Sequence, residues 1–201
     1  MEDVYVFDMG GVIKEPFNIE KFYLEIDAKI EYNEFRKKWE ENLLKAESGG
    51  IDSDEFIQRI LNYAKSTKTL EEAKEIYGKY TGKIYNDTKN ILEHLKKCGK
   101  KIYLLSDLKQ IDFEYLKQKI DINVFENTFL SYELGCTKRE TKVFNIVIDK
   151  LKLKPSNIYF FDDKKENIDL AKKVGINAYQ VNGENIKKQW EELVINKKIN
   201  I

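Results

Sequence analysis

A chain of 201 residues, 42% hydrophobic and 35% charged, is long enough to bury a proper core and suits one domain with a sizeable insertion, or two small ones. Its 35 basic and 35 acidic side chains leave no net charge to attract nucleic acid or an anionic membrane surface, so neither is expected as a partner. The N-terminal apolar run is too short for a signal peptide and follows Glu2 and Asp3, and no run approaches membrane-spanning length, so a cytoplasmic location is expected.

In chain order, Val4 to Phe7 reads as a buried strand that ends on Asp8 and is followed by Gly10 and Gly11. Helical patterns come next, around Phe17 to Leu24 and Glu31 to Leu44. "GIDSDEFIQRILNYA" opens with Asp52 as an N-cap and Glu55 three residues on, then places Phe56, Ile57, Ile60, Leu61 and Ala64 on one face. "TLEEAKEIYGKY" repeats the device with Thr69 and Glu72. An all-helical unit is therefore expected over residues 14–86.

Beyond it the pattern alternates. A helix near Thr88 to Cys98 precedes the strand "KIYLLS", and a helix carrying Phe113, Leu116 and Ile120 precedes a short strand near "NTFLS". A helix near Thr141 to Leu151, the strand "NIYFFDD", a helix closed by Gly175, the strand "NAYQV" and a helix with Trp190 complete the series. Such alternation predicts an α/β fold, a Rossmann-like, mostly parallel sheet with helices on both faces. Residues 1–13 and 87–201 would form this core, interrupted by the helical insertion, and the tail "NKKINI" is expected to be frayed surface.

The residue inventory narrows the chemistry. Cys98 and Cys136 lie far apart and outside any ligand spacing, which excludes a disulfide framework and a zinc site. The single histidine, His94, falls off the apolar stripe of its helix and reads as a solvated residue, and one histidine in the chain argues against a Ser-His-Asp or Cys-His mechanism and a multi-histidine metal site. Carboxylates, hydroxyls and lysines remain. Ligands bind at the carboxyl edge of an open parallel sheet, and four polar groups arrive there: Asp8, Ser106, Lys138 and the pair Asp162–Asp163. Taken singly, each has an ordinary structural use, as turn residue, helix cap or solvated lysine. Together, the carboxylates suit magnesium bridging to a phosphate, and the hydroxyl and lysine suit the negative oxygens of a transferring phosphoryl group.

"VFDMGGVI", "LLSD", "GCTKRETKVF" and "YFFDDKKENIDLAKKVGINA" resemble, in order and spacing, the four motifs of the haloacid dehalogenase superfamily. The helical insertion looks like that superfamily's cap. Within it, "ESGGIDSDEF" is similar to a cap stretch of the branch containing the alpha-glucose-1-phosphate phosphatases and the N-terminal phosphatase domain of epoxide hydrolases. The resemblance implies a magnesium-dependent phosphatase acting on a small phosphorylated metabolite, with a hexose 1-phosphate as the favoured substrate. Asp8 would be the nucleophile, with Ser106, Asp107, Lys138, Gly10 and Gly11 around the phosphate. Asp8, the Gly10 carbonyl and the adjacent acids Asp163 and Asp162 would hold the metal, Asp163 as the distal ligand, with Asn167 supporting from behind.

Three positions depart from the family pattern. Gly10 stands where an acid/base Asp is usual, Asp107 where Asn is usual, and Arg139 where Pro is usual. Asp107 beside a bound phosphate costs affinity unless it points away or meets a cation such as Arg139. Gly10 and Asp107 motivate a second reading, a phosphate-binding or regulatory protein without turnover. A metal-free dehalogenase has no need for the second acidic pair, and a receiver-type domain has no place for so long an insertion. Tyr23, Trp39 and Tyr63 are aromatic candidates for a sugar face, against the alternative of packing between helices.

Overall fold

The computed structural model describes residues 3–196 and 198–199. Five strands, β1 (Val4–Phe7), β2 (Lys101–Ser106), β3 (Asn127–Leu130), β4 (Ile158–Asp162) and β5 (Asn177–Gln180), form one sheet in the order β3-β2-β1-β4-β5. Every pairing is parallel. The helices are α1 (Ile19–Glu25), α2 (Tyr32–Glu47), α3 (Ser53–Ala64), α4 (Leu70–Lys79), α5 (Asn86–Lys97), α6 (Gln110–Lys117), α7 (Ser131–Leu134), α8 (Thr141–Leu151), α9 (Lys165–Lys173) and α10 (Ile186–Ile195). No helix among the described residues is long and apolar enough to cross a membrane.

Strand periodicity sorts the core into two layers. Tyr5, Phe7, Tyr159 and Phe161 face one side, where they pack with Leu92 of α5 and Trp190 of α10. Val4, Val6, Ile158 and Phe160 face the other, against residues of α8 and α9 such as Phe144 and Ala171. Because both faces are covered, β1 and the first four residues of β4 are apolar at every position instead of alternating. The tail departs from expectation: Ile199 is buried in the first layer and the Lys198 carbonyl accepts the Tyr179 hydroxyl, while Lys197, Asn200 and Ile201 lie outside the described residues.

Helices α1–α4 leave the sheet after β1 and build their own cluster around Phe22, Phe35, Trp39, Phe56 and Tyr77. Both capped starts form as the sequence suggests: Asp52 accepts the Glu55 N–H, and Thr69 and Glu72 make a reciprocal capping box. The two chain crossings into this unit pair with each other, since the Glu15 N–H donates to the Lys83 carbonyl and the Tyr85 N–H to the Ile13 carbonyl. A further set of ties comes from α6. The Tyr77 hydroxyl donates to Asp112 at 2.6 Å, the Tyr115 hydroxyl to the Lys74 carbonyl at 2.6 Å, and the Ile111 N–H to Ser53 Oγ at 2.9 Å.

Candidate active site

Sheet order decides which side chains meet. β1 is central, with β2 on one side and β4 on the other, so the chain reverses its direction of travel across the sheet beside β1 and leaves a crevice at the carboxyl edge. Phe7 is in register with Leu104 and with Phe161. Asp8, Ser106 and Asp162 therefore emerge within about one residue of each other along that edge, by strand register alone.

Lys138 joins them from the loop after α7 and is 2% exposed. Its ammonium lies 2.7 Å from Asp8 Oδ1 and 2.6 Å from Asp162 Oδ2. Ser106 Oγ donates to the same Asp8 oxygen at 2.9 Å. Burial works against the Lys138 charge, but Asp8, Asp162 and Asp107 outweigh it and hold its pKa above the ordinary lysine value. Asp8 is pushed up to about 6, chiefly by burial, with Lys138 pulling it down and Asp162 pushing it further up.

The two adjacent acids divide the work. Asp162 is fully buried, and both its oxygens are engaged: Asn167 Nδ2 donates to each at 3.0 Å, the Lys164 N–H donates to Oδ1, and Lys138 reaches Oδ2. Asp163 Oδ1, by contrast, is buried with no hydrogen-bond partner. Carboxylate oxygens of Asp8, Asp162 and Asp163 lie within 4.8 Å of one another. A buried carboxylate oxygen left unpaired is costly, and a hard divalent cation between Asp8 and Asp163 would satisfy it with the oxygen donors such ions prefer. The residues present thus fit a magnesium-type ion. Asp162, grouped with the metal ligands in the sequence reading, is instead saturated by hydrogen bonds and braces Lys138. Gly11 adopts φ +76°, and a Cβ there would stand 2.4 Å from Asp163, so only glycine leaves room for that carboxylate.

Asp107 also has a different task from the phosphate contact expected of it. Both its carboxylate oxygens accept the Lys138 backbone N–H, at 2.9 and 3.0 Å, which fixes the loop that carries the lysine. Its pKa is raised by burial, against the pull of Lys138. Arg139 does not meet Asp107 in an ion pair; its guanidinium stands 3.8 Å from Glu47 at the end of α2. Gly10 has ordinary negative φ and nothing within 4 Å of a Cβ built on it.

Above these groups lies a cavity of about 340 Å³ between the sheet edge and the α1–α4 unit, lined by Asp8, Ser106 and Lys138 below and by Phe17, Trp39 and Glu47 among others. Of the three aromatic candidates, Trp39 reaches it, though it is mostly held between Phe17 and Phe56. Tyr23 packs against Tyr32 and Phe35 and donates to the Ile30 carbonyl, and Tyr63 sits exposed under Lys38. Sequence reasoning missed Lys109, whose buried ammonium pairs with Asp112 at 2.8 Å and lies over the rings of Trp39, Phe56 and Tyr77. It also missed Glu47. The available signal was the phrase "ESGGIDSDEF", read for its likeness to a cap stretch and not for its first acid, Glu47.

The match to a family model covers residues 2–175 and carries the description haloacid dehalogenase-like hydrolase. The chain belongs to this family. Among curated relatives, D-ribitol-5-phosphate phosphatase of Bacteroides thetaiotaomicron is 26% identical over 67% of this chain and 68% of its own length. Enolase-phosphatase E1 of Leptospira interrogans is 23% identical over 88% of this chain and 86% of its own. Among solved structures, a HAD family enzyme from Bacteroides thetaiotaomicron superposes with a TM-score of 0.84 at 22% identity, covering 96% of this chain and 98% of that one. The same enzyme in complex with magnesium and inorganic phosphate superposes at 0.77 and 22% identity, over 91% and 96% of the two chains. At these identities the superpositions establish the haloacid dehalogenase-like fold.

Proposed function

We propose that this chain, a phosphoric monoester hydrolase, works with magnesium on a small sugar or sugar-alcohol phosphate through an aspartyl-phosphate intermediate. The observation that carries the reading is the buried, unpartnered Asp163 Oδ1 beside Asp8. A buried carboxylate in a satisfied structural network has no reason to keep an oxygen bare. Asp8, Asp163 and the Gly10 carbonyl would hold the ion, which supplies Lewis-acid neutralisation of phosphate charge and keeps Asp8 ionised.

The remaining steps belong to the chain's own side chains. Asp8 attacks phosphorus in line and the leaving oxygen departs with the bonding electrons. Ser106 Oγ and Lys138 Nζ, which both point at Asp8 Oδ1, are positioned to donate to the phosphoryl oxygens as charge builds there. Asp162, Asn167 and Asp107 fix Lys138, and water then hydrolyses the acyl phosphate. Residues 14–86 would act as a cap that excludes bulk water and contacts the organic part of the substrate, over a core of residues 1–13 and 87–201. A relative named for a polyol 5-phosphate and the sugar 1-phosphate branch that the motifs resemble support a polyhydroxylated substrate, with a hexose 1-phosphate as the finer reading.

Turnover of 4-nitrophenyl phosphate with magnesium tests this directly. Activity should vanish with chelator and in Asp8→Asn, which keeps the size of the side chain and removes its nucleophilic charge. Turnover that survives either change would refute the aspartyl-phosphate mechanism.

A further inference from the structure

A phosphate ester with an alkoxide leaving group needs a proton delivered to the departing oxygen, and position 10 offers only hydrogen and open space. Three carboxyl groups lining the cavity stand outside the metal and Lys138 networks, and two of them are held in close ion pairs, Glu40 with Arg36 at 3.0 Å and Asp112 with Lys109 at 2.8 Å, which leaves Glu47. Glu47 lines the same cavity as Asp8 and Ser106 and is 9% exposed. Its ion-pair partner among the described residues is Arg139, at 3.8 Å and with a side chain 58% exposed, which is beyond hydrogen-bond reach.

Three features keep this carboxyl protonated more readily than a free one. It is the last residue of α2, where the helix dipole disfavours negative charge. It is buried, and burial is the main cause that lifts its pKa above the ordinary value. The charged groups facing it act in both directions: Lys109 and Arg139 favour the ionised form, Asp107 and Asp112 oppose it, and the net shift is upward. Its position is also fixed. Two residues on, Gly49 has φ +72° and passes so close to α7 that a Cβ would stand 2.3 Å from the Tyr132 carbonyl oxygen. On the far side of that loop, Ser53 Oγ holds the Ile111 N–H. The end of α2 is therefore clamped to the core at the edge of the site.

We propose that Glu47 donates the proton to the leaving oxygen, doing from the helical unit what an acid at position 10 would otherwise do. This rests on the phosphatase reading above. As Asp8 Oδ forms its bond to phosphorus, the P–O bond to the leaving group breaks and its electron pair stays on that oxygen, which takes the Glu47 proton and departs as an alcohol. Glu47, now a carboxylate, accepts a proton from the water that attacks the aspartyl phosphate, which restores both carboxyl groups and releases phosphate. With a donor in place, terminal alkyl phosphates of sugar alcohols become usable substrates and not only anomeric ones.

The test compares 4-nitrophenyl phosphate, whose leaving group needs little protonation, with ribitol 5-phosphate, whose primary alkoxide needs it, in wild type, Glu47→Gln and Gly10→Asp/Glu47→Gln at saturating magnesium. The ribitol-to-aryl ratio of kcat should fall about a hundredfold in Glu47→Gln. The alkaline limb of the kcat profile for ribitol 5-phosphate should disappear with it. Gly10→Asp, whose Cβ meets nothing within 4 Å, should recover at least about tenfold of the ratio in the Glu47→Gln background. An unchanged ratio in folded Glu47→Gln, or an equal loss on both substrates with no recovery by Gly10→Asp, overturns the assignment while leaving the phosphatase reading intact. Wild type that fails to turn over the aryl phosphate overturns both.

Discussion

Lys109 and Asp112 form a buried ion pair 2.8 Å apart, with side chains 6% and 7% exposed, at the junction of α6 and the helical unit. At an effective dielectric of 20 the attraction at that separation is about 6 kcal/mol, most of which is cancelled by the water both ions have given up. The pair as a whole is therefore near neutral for stability, but removing one partner leaves the other desolvated and costs about 3–5 kcal/mol. Lys109→Met puts an uncharged side chain of similar length where the ammonium lies over Trp39, Phe56 and Tyr77, and takes the cation from Asp112. Asp112 retains the Tyr77 hydroxyl and the nearby Lys14, which places this variant at the lower end, about 3 kcal/mol. Asp112→Asn strands Lys109 instead, and the double variant should cost less than the sum by about 2–3 kcal/mol, measured by urea unfolding at pH 7. The acid dependence checks the same interaction. Burial raises the Asp112 pKa, but Lys109, Lys14 and the hydrogen bonds from Lys109 and Tyr77 outweigh it and hold the folded value below the ordinary one. A depressed folded pKa gives stability that is present above the ordinary carboxylate pKa and is lost as pH falls through the folded value. The gap between wild type and Lys109→Met should accordingly shrink below about pH 4. Single costs that simply add, or a gap independent of pH, would refute the pairing argument.

Asp163→Ala should raise the magnesium concentration needed for half-maximal turnover, because it removes the buried bare oxygen. Lys138→Ala should instead lower turnover at saturating magnesium and cost about 3–5 kcal/mol in urea unfolding, since Asp8 and Asp162 are left facing each other without a cation. An unchanged magnesium requirement in Asp163→Ala places the distal ligand elsewhere. Asp107→Asn keeps one oxygen for the Lys138 N–H and removes a negative charge from the cavity wall. Competitive inhibition by inorganic phosphate should become several-fold tighter, at a stability cost of about 1 kcal/mol; weaker inhibition would mean that Asp107 positions Lys138 in a way an amide cannot.

Much of the fold was legible because its signals are local. Strands β1 and β4 are continuous apolar runs, the capping residues Asp52 and Thr69 announce their helices, and the alternation after Asn86 admits few topologies. The site was legible where a residue ends a strand, since strand register brings Asp8, Ser106 and Asp162 together without help from side-chain packing. Lys138 is different: its loop is irregular, and the resemblance in "GCTKRETKVF" assigned it. What sequence could not divide was the labour between neighbours. Asp162 and Asp163 are identical in chemistry, and only their places, one the last residue of β4 and the other just beyond it, commit the first to Lys138 and Asn167 and leave an oxygen of the second bare. Asp107 posed the same difficulty, being an anion whose partner is a backbone N–H and therefore invisible in any pattern of charges.

The residues missed altogether, Glu47 and Lys109, belong to surfaces created when the helical unit folds back on the sheet, and no periodicity encodes such a surface. Their placement gives the ties from α6 a use beyond stability. If the proton donor stands on α2, its distance from the leaving oxygen depends on how α1–α4 sit over β1, and a displacement of about 1 Å in such a group can cost a hundredfold in rate. The Tyr77–Asp112 and Ser53–Ile111 hydrogen bonds and the backbone contact at Gly49 all fall on this boundary. An acid at position 10 would move with β1 and need none of them. A chain that carries its acid on the helical unit must hold that unit in register, and it does so with buried polar contacts, whose geometry is far more exacting than that of an apolar seam.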